Sequence, residues 1–274
     1  MTYWLAAHLH EGDQVTLAVN NPALAYGASV FTTMRVYEKS LDHPLTAWQL
    51  HRDRLTHSLK AFNWPQPNWD SVIQGCQTLL HHYPVLRVTI LADGNELITG
   101  RSLPDHLDQQ QKQGVTLWVA DNDLYQRSLP EHKTGNYLPC WLAMQAAKHH
   151  GARDAVLTNA TGEWLETSTG NLWGYRDGQW FTPSLNVGIL PGICRTQLLQ
   201  SLGTQAIDDQ IWSPKLVSSF EALAYSNCVV GIMPVHTVLL GNIKLSYRSN
   251  HEGLCVLRHI FSGPFMDRHS CEAE

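Results

Sequence analysis

The sequence predicts an α/β (α+β) protein in two unlike parts, and three observations carry that expectation. Strand-like and helix-like periodicities alternate over the first 120 residues. Short strand signals crowd together in the second half, interrupted by only a few helices. Between them, Asp121 to Pro130 loses all apolar periodicity. These features set an N-terminal domain at 1–120, a linker at 121–130 and a C-terminal domain at 131–274. The length of 274 residues accommodates two domains, and a hydrophobic fraction of 43% is enough to give each a core. Two unlike parts joined by a linker make a natural place for a ligand cleft.

Residues 30–36, Val-Phe-Thr-Thr-Met-Arg-Val, are rich in β-branched and aromatic side chains and read as a strand after the Tyr26-Gly27-Ala28 turn. From Thr46 to Trp64, Trp48, Leu55, Leu59 and Phe62 recur at helical spacing until Pro65 stops the run. His51 and Arg54, three apart, share a face of that helix. A second helix covers Trp69 to His82, and residues 85–91 alternate as a strand closed by Ala-Asp-Gly. Residues 99–113 are polar and turn-rich, and the neighbouring 94–104 reads as a loop. Val115–Ala120 is a strand. After the linker, Leu138, Leu142 and Ala146 mark a helix. Strands follow at 155–158, 163–166, 172–175 and 179–182, joined by the turns Asn159–Gly162 and Arg176–Gly178. Leu190-Pro-Gly-Ile193 then opens a helix that Gly203 ends.

A net charge of −5 gives no footprint for nucleic acid or an anionic membrane, although local arginines can still hold a small anion. The opening Met1-Thr-Tyr-Trp-Leu5 lacks a basic stretch leading into a long apolar run, and no later stretch is long enough to span a bilayer, so a cytoplasmic protein is expected. The six cysteines, Cys76, Cys140, Cys194, Cys228, Cys255 and Cys271, form no C-x-x-C pair and read as reduced thiols. Histidines number 15, but doublets such as His81-His82 and His149-His150 point to different sides of an element, so no metal site is expected.

Three local patterns bear on chemistry. Lys133, in Glu131-His-Lys-Thr-Gly-Asn-Tyr137, precedes a helix beside a glycine; it is a solvated charge or an amine nucleophile, and reactivity would require desolvation or a cationic neighbour. Tyr137 lies one turn on. Glu166 stands among apolar and small residues at a strand end, either exposed or paired with a specific partner. Gly188-Ile-Leu-Pro-Gly-Ile-Cys-Arg195 is a Pro-Gly helix start whose N–H groups at 192–194 suit an anion, with Arg54 as a cation able to reach it.

Taken in order, Tyr26-Gly-Ala-Ser-Val-Phe-Thr-Thr-Met-Arg35, His51-Arg-Asp-Arg-Leu55, Lys133-Thr-Gly-Asn-Tyr137, Glu166 through Trp173, Thr182-Pro183, Leu190-Pro-Gly-Ile-Cys-Arg195, and Ser226-Asn-Cys228 through Pro234-Val235 resemble the class IV (fold type IV) pyridoxal 5'-phosphate (PLP) enzymes. That family includes branched-chain and D-amino-acid aminotransferases and aminodeoxychorismate lyase. The resemblance implies a smaller N-terminal α/β domain, a larger β-rich pseudobarrel and a homodimer. It makes Lys133 the Schiff-base lysine and pairs Glu166 with the pyridinium nitrogen. Arg54 and the backbone at Ile193 and Cys194 then hold the phosphate with help from Cys228, and Tyr137 lies near the phenolate oxygen. Family members often carry a hydroxyl residue where this chain has Cys194 and Cys228, and a thiol is the poorer donor.

Within the family, Phe31-Thr-Thr-Met-Arg35 is similar to the Phe-Thr-Thr segment of aminodeoxychorismate lyases, cyanobacterial-like ones included, where branched-chain aminotransferases tend to have Phe-Glu-Gly. The implied reaction converts 4-amino-4-deoxychorismate to 4-aminobenzoate and pyruvate for folate synthesis; the alternative is an aminotransferase acting on branched-chain or D-amino acids. A small-molecule substrate with two carboxylates calls for cations, for which Arg35 and Arg101 are candidates beside Phe31, while Arg87 reads as a solvent-facing strand residue. Thr32 or Thr33 must face the substrate, because alternate strand residues face opposite sides, and Thr33 is the catalytic candidate.

Overall fold

The computed structural model describes residues 1–262, so Cys271 and the last stretch of the expected C-terminal domain lie outside the described residues. The chain forms two compact units, one of Met1–Pro104 with His132–Tyr137, the other of Asp105–Glu131 with Leu138 onward. This division differs from the expected one at two points, and strand pairing explains both.

The first unit runs β1 (Thr2–Leu5), β2 (His8–Glu11), α1 (Pro22–Tyr26), β3 (Ser29–Arg35), α2 (Trp48–Ala61), α3 (Trp69–Leu79), β4 (Val85–Leu91) and β5 (Glu96–Arg101). Its five strands pair antiparallel in the order β2-β1-β5-β4-β3. One face of this sheet, including Trp4, Val30, Met34, Leu86, Val88, Ile90 and Ile98, packs with Leu55 and Leu59 of α2 and Val72, Cys76 and Leu79 of α3. Gly75 of α3 lets the helix approach, since a Cβ there would lie 2.6 Å from the Trp4 ring and 2.7 Å from Ile98.

β5 falls where the sequence suggested a loop. Its inward positions are Glu96, Ile98 and Gly100, which hide the strand period. Glu96 is buried yet satisfied: its Oε1 accepts from Trp4 Nε1 at 3.0 Å, the Ala7 N–H at 2.9 Å and Ser71 Oγ at 2.5 Å. At Gly100 a side chain would overlap the Tyr83 ring.

The second unit continues with α4 (Leu107–Gln113), β6 (Val115–Ala120), α5 (Leu138–His149), β7 (Asp154–Thr158), β8 (Trp164–Thr167), β9 (Asn171–Arg176), β10 (Gln179–Phe181) and α6 (Ile193–Leu202). β11 (Ala206–Ile207), α7 (Pro214–Val217), β12 (Ala222–Asn227), β13 (Gly231–Leu240), β14 (Ile243–Ser246) and α8 (Glu252–Ser262) complete it. The strands form one mixed sheet, β11-β10-β9-β12-β13-β6-β7-β8, with β14 added on β13. β6 lies parallel to both β13 and β7, which ties residues 105–120 to this unit rather than to the N-terminal one. α4 occupies part of the stretch that read as turn-rich, because Asp108-Gln-Gln-Gln-Lys-Gln113 carries no apolar stripe and only Leu107 is buried.

The second difference concerns Lys133 itself. Residues 132–137 leave their sequence neighbours and lie along β3, the edge strand of the first sheet, with Val30 bridged antiparallel to Thr134. Lys133 and Tyr137 therefore belong to the first unit, and the strap covers an edge that would otherwise be open to pairing.

Candidate active site

The strap is held by backbone bonds. The Phe31 N–H donates to the Lys133 carbonyl at 2.8 Å, and the Gly135 N–H donates to the Ser29 carbonyl at 2.7 Å. Gly135 is needed there: a Cβ would strike Ser29 Oγ and sit 2.8 Å from the Gly27 carbonyl oxygen. Lys133 Nζ ends up 4.8 Å from the Phe31 ring centroid and 4.9 Å from that of Tyr137, and the two rings meet edge to face at 5.5 Å.

Cross-strand register fixes what shares this face. Phe31 pairs with Thr89, Thr33 with Arg87, and Arg35 with Val85, which pairs in turn with Arg101. Directly opposed residues project to the same side of a sheet, so Phe31, Thr33, Arg35, Arg87 and Arg101 share the side away from the helices. Arg87 keeps an exposed surface, but its guanidinium carbon lies only 3.5 Å from the Phe31 centroid. Crowding lowers its pKa from the ordinary value, by desolvation first, with Tyr137 opposing and Arg101 adding; the group remains cationic.

The other side of β3 carries Thr32. Its hydroxyl accepts from Arg54 Nη2 at 2.5 Å and is in close contact with Nδ1 of His51. His51 is wholly buried and its pKa is held well below the ordinary value, by burial first and then by the charges of Arg54 and Lys133. Its Nε2 is buried and has no hydrogen-bond partner among the described residues. The pairing of His51 and Arg54 on one helix face, expected from their spacing, thus takes the form of a shared contact with Thr32.

In the second unit, Glu166 on β8 is buried and receives donors on both oxygens. Arg127 Nη1 reaches Oε1 at 2.6 Å, and the Leu190 N–H donates to Oε2 at 3.2 Å with Asn171 Nδ2 at 3.5 Å. Asn171 Nδ2 also donates to the Leu190 carbonyl at 2.9 Å, linking the carboxylate to the loop before α6. Arg127 was hidden in the expected linker. A lone arginine in a polar stretch gives no periodic signal, and nothing in the local sequence sets it apart. Arg127 and Glu166 line a cavity of about 190 Å³ together with Tyr125, Leu157 and Thr158.

α6 begins at Gly192 without any side-chain cap, so the N–H groups of Ile193 and Cys194 open onto an uncapped helix start. Gly192 is required, because a Cβ would collide with Asn171 Oδ1. Cys194 is buried, and burial raises its thiol pKa well above the ordinary value; Cys228 adds to this and a hydrogen bond with Ser226 opposes it. Cys228, just after β12, packs against the same cluster. The amides beyond it are turned inward, with Val229 and Val230 N–H donating to Asn227 Oδ1 at 2.9 and 3.0 Å.

The structure thus groups Lys133, Tyr137, Phe31, Thr33, Arg35, Arg101 and Arg54 within the first unit, and Glu166, Ile193, Cys194 and Cys228 within the second. Among the described residues no group of three His, Cys, Asp or Glu side chains is arranged to hold a metal ion, and no helix is long and apolar enough to cross a membrane.

Two units of this architecture, with a lysine strap on a sheet edge and a buried carboxylate beside an uncapped helix, define the kind of protein. Residues 29–238 match the family model for amino-transferase class IV, and the chain belongs to that family of PLP-dependent enzymes. The aminodeoxychorismate lyase of Vibrio harveyi is 25% identical over 252 residues, covering 85% of this chain and 92% of the relative. The branched-chain-amino-acid aminotransferase of Escherichia coli (strain K12) is 24% identical over 260 residues, covering 86% and 84%. A crystal structure of the branched-chain amino acid aminotransferase of Escherichia coli superposes with a TM-score of 0.79 at 22% identity, covering 96% of this chain and 94% of that one. The fold is therefore that of the fold type IV aminotransferases, as expected.

The residues present fit PLP by their chemistry. An amine lies against aromatic rings, a buried carboxylate is anchored on both oxygens, and an uncapped helix start, crowded enough to demand glycine, offers backbone donors to a phosphate.

Proposed function

We propose that this chain is a 4-amino-4-deoxychorismate lyase, releasing 4-aminobenzoate and pyruvate in folate biosynthesis. The observation that carries the reading is the face bearing Lys133: three arginines, Arg35, Arg87 and Arg101, share it with Thr33 and Phe31, and the Arg87 guanidinium lies over the Phe31 ring. A substrate with two carboxylates meets complementary charge there, and the Vibrio harveyi relative bears the name aminodeoxychorismate lyase.

In this reading Lys133 holds the cofactor, Glu166 meets its ring nitrogen, and Arg54 with the Ile193 and Cys194 backbone holds its phosphate, helped by the turn at Cys228. Bound PLP supplies an electron sink for the carbon that loses its proton. The Lys133 amine takes that proton, and its place on the β3 edge fixes its direction of approach. Thr33 presents its hydroxyl on the same face to the departing enolpyruvyl group, and Phe31 and Tyr137 shield the amine from water. Arg35 and Arg101 orient the carboxylates, an office that Arg87 shares by its position. The atoms balance without water: the C–O bond to the enolpyruvyl group breaks, the ring becomes aromatic, and the leaving enol takes up a proton as pyruvate. The same reading carries a cytoplasmic location and a homodimer.

The aminotransferase alternative, on branched-chain or D-amino acids, keeps the support of the 24% identity to the Escherichia coli enzyme. A paired assay tests the two. PLP-loaded protein is given aminodeoxychorismate generated in situ, with 4-aminobenzoate followed by fluorescence, and separately L-branched-chain or D-amino acids with 2-oxoglutarate, each beside Lys133→Ala. Fluorescent product from the wild type alone supports the lyase. Keto-acid exchange without 4-aminobenzoate overturns it in favour of the aminotransferase.

A further inference from the structure

The residue before the lysine is bound to the helix that carries the phosphate arginine. His132 Nδ1 lies 2.9 Å from Ser58 Oγ, its ring stacks on His57 at 5.5 Å and 20°, and it tilts against Phe62 at 4.7 Å. Ser58 and His57 belong to α2, and Phe62 follows it directly. Arg54 stands four residues before Ser58, so the two project from one face of that helix. The rest of the strap is tied by backbone bonds to β3, at Phe31, Val30 and Ser29. Backbone pairing fixes the register of Lys133 along the strand, and packing with the Thr32–Arg54 bond holds that strand to α2; neither fixes how closely the strap itself approaches α2. His132 supplies the contact that does.

We propose that His132 is a positioning residue that fixes the separation between the Lys133 amine and the Arg54 guanidinium, through its hydrogen bond to Ser58 and its stack on His57 and Phe62. The proposal rests on the reading in which Lys133 and Arg54 hold the two ends of one cofactor. A ligand gripped at two points binds tightly only when their spacing matches its length, because the second contact is then intramolecular. A ligand that touches one point is indifferent to the spacing. His132 therefore acts on PLP and not on its separate parts.

The experiment measures dissociation constants of PLP, of pyridoxal and of inorganic phosphate for the wild type, His132→Ala, His132→Asn and Ser58→Ala, alongside thermal melting of each cofactor-stripped protein. The expected result is a loss of roughly tenfold or more in PLP affinity for His132→Ala and Ser58→Ala, with pyridoxal and phosphate changed by less than about twofold. His132→Asn, which can still bond to Ser58, is expected to recover part of the loss. Equal weakening of all three ligands, or a lowered melting temperature with PLP affinity intact, makes His132 a fold residue only and overturns the proposal. Unchanged affinities throughout overturn it as well. Lys133→Ala and Arg54→Gln separate this failure from that of the underlying reading: if neither weakens PLP binding, the assignment of the two cofactor ends is wrong whatever His132 does.

Discussion

Arg127 Nη1 stands 2.6 Å from Glu166 Oε1, and both side chains are nearly excluded from solvent, at 11% and 6% exposure. A buried carboxylate in such a pair depends on its partner more than a surface one does, because removing the cation leaves a buried charge without its counter-charge. The bond also fixes the plane of the carboxylate, which the Leu190 N–H and Asn171 hold from the other oxygen.

Arg127→Met is therefore expected to lower stability by about 3 kcal/mol and to weaken PLP binding together with it. Arg127→Lys keeps the charge but not the planar fork, and should recover stability better than cofactor affinity. Melting curves with and without PLP separate the two effects. A melting temperature unmoved in Arg127→Met would contradict the pairing.

His51 gives a pH dependence whose sign follows from its burial. Its pKa in the folded protein is held well below the ordinary 6.5, so the unfolded chain takes up a proton that the folded one refuses. The stability this contributes is fully present above 6.5 and is lost as pH falls from there toward the folded value. Unfolding of the cofactor-stripped protein, followed from about pH 8 to about pH 5, should show this slope, and His51→Gln should flatten it. An equal slope in the variant would mean that another group is responsible.

Arg87 presents its guanidinium on the face that carries Lys133, 3.5 Å from the Phe31 centroid. On the lyase reading, Arg87→Gln is expected to raise KM for aminodeoxychorismate by about tenfold to a hundredfold, the worth of one charge-assisted hydrogen bond, and to change kcat less. PLP affinity should not follow. A KM that stays put removes Arg87 from substrate binding and leaves Arg35 and Arg101 to carry both carboxylates.

Much of the first unit was legible because its inward residues are apolar: α2, α3, β3 and β4 were read within a few residues of their ends. β5 was not, since Glu96 and Gly100 take inward positions that a periodicity search assigns to loops. Lys133, Glu166 and the α6 start were singled out by their residue types and order. Three things stayed out of reach. Which unit holds Lys133 depends on backbone bonds from Phe31 and Gly135, which leave no mark on side-chain identity. The sides taken by Thr32 and Thr33 were ambiguous by one residue, and register with β4 assigns Thr33 to the face of Phe31 and Arg87. Arg127 and His132 act through partners 39 and 74 positions away, Glu166 and Ser58, and no local pattern encodes such a pairing.

Gly192 offers the last test, because it joins the helix start to the carboxylate. A methyl group at this position would collide with Asn171 Oδ1, and Asn171 is the side chain that reaches both Glu166 Oε2 and the Leu190 carbonyl. Gly192 has φ of −69°, which alanine adopts without strain, so Gly192→Ala puts no left-handed backbone conformation at risk. The expected outcome is a displaced Asn171 and PLP affinity lowered by roughly tenfold or more, with a melting temperature close to that of the wild type in the stripped protein. Gly192→Ala combined with Asn171→Ala should remove the collision and leave an affinity no lower than that of Asn171→Ala alone. If the double variant instead shows the full sum of the two losses, the glycine serves the phosphate through its own backbone, and the steric link to Asn171 and Glu166 is not what makes it necessary.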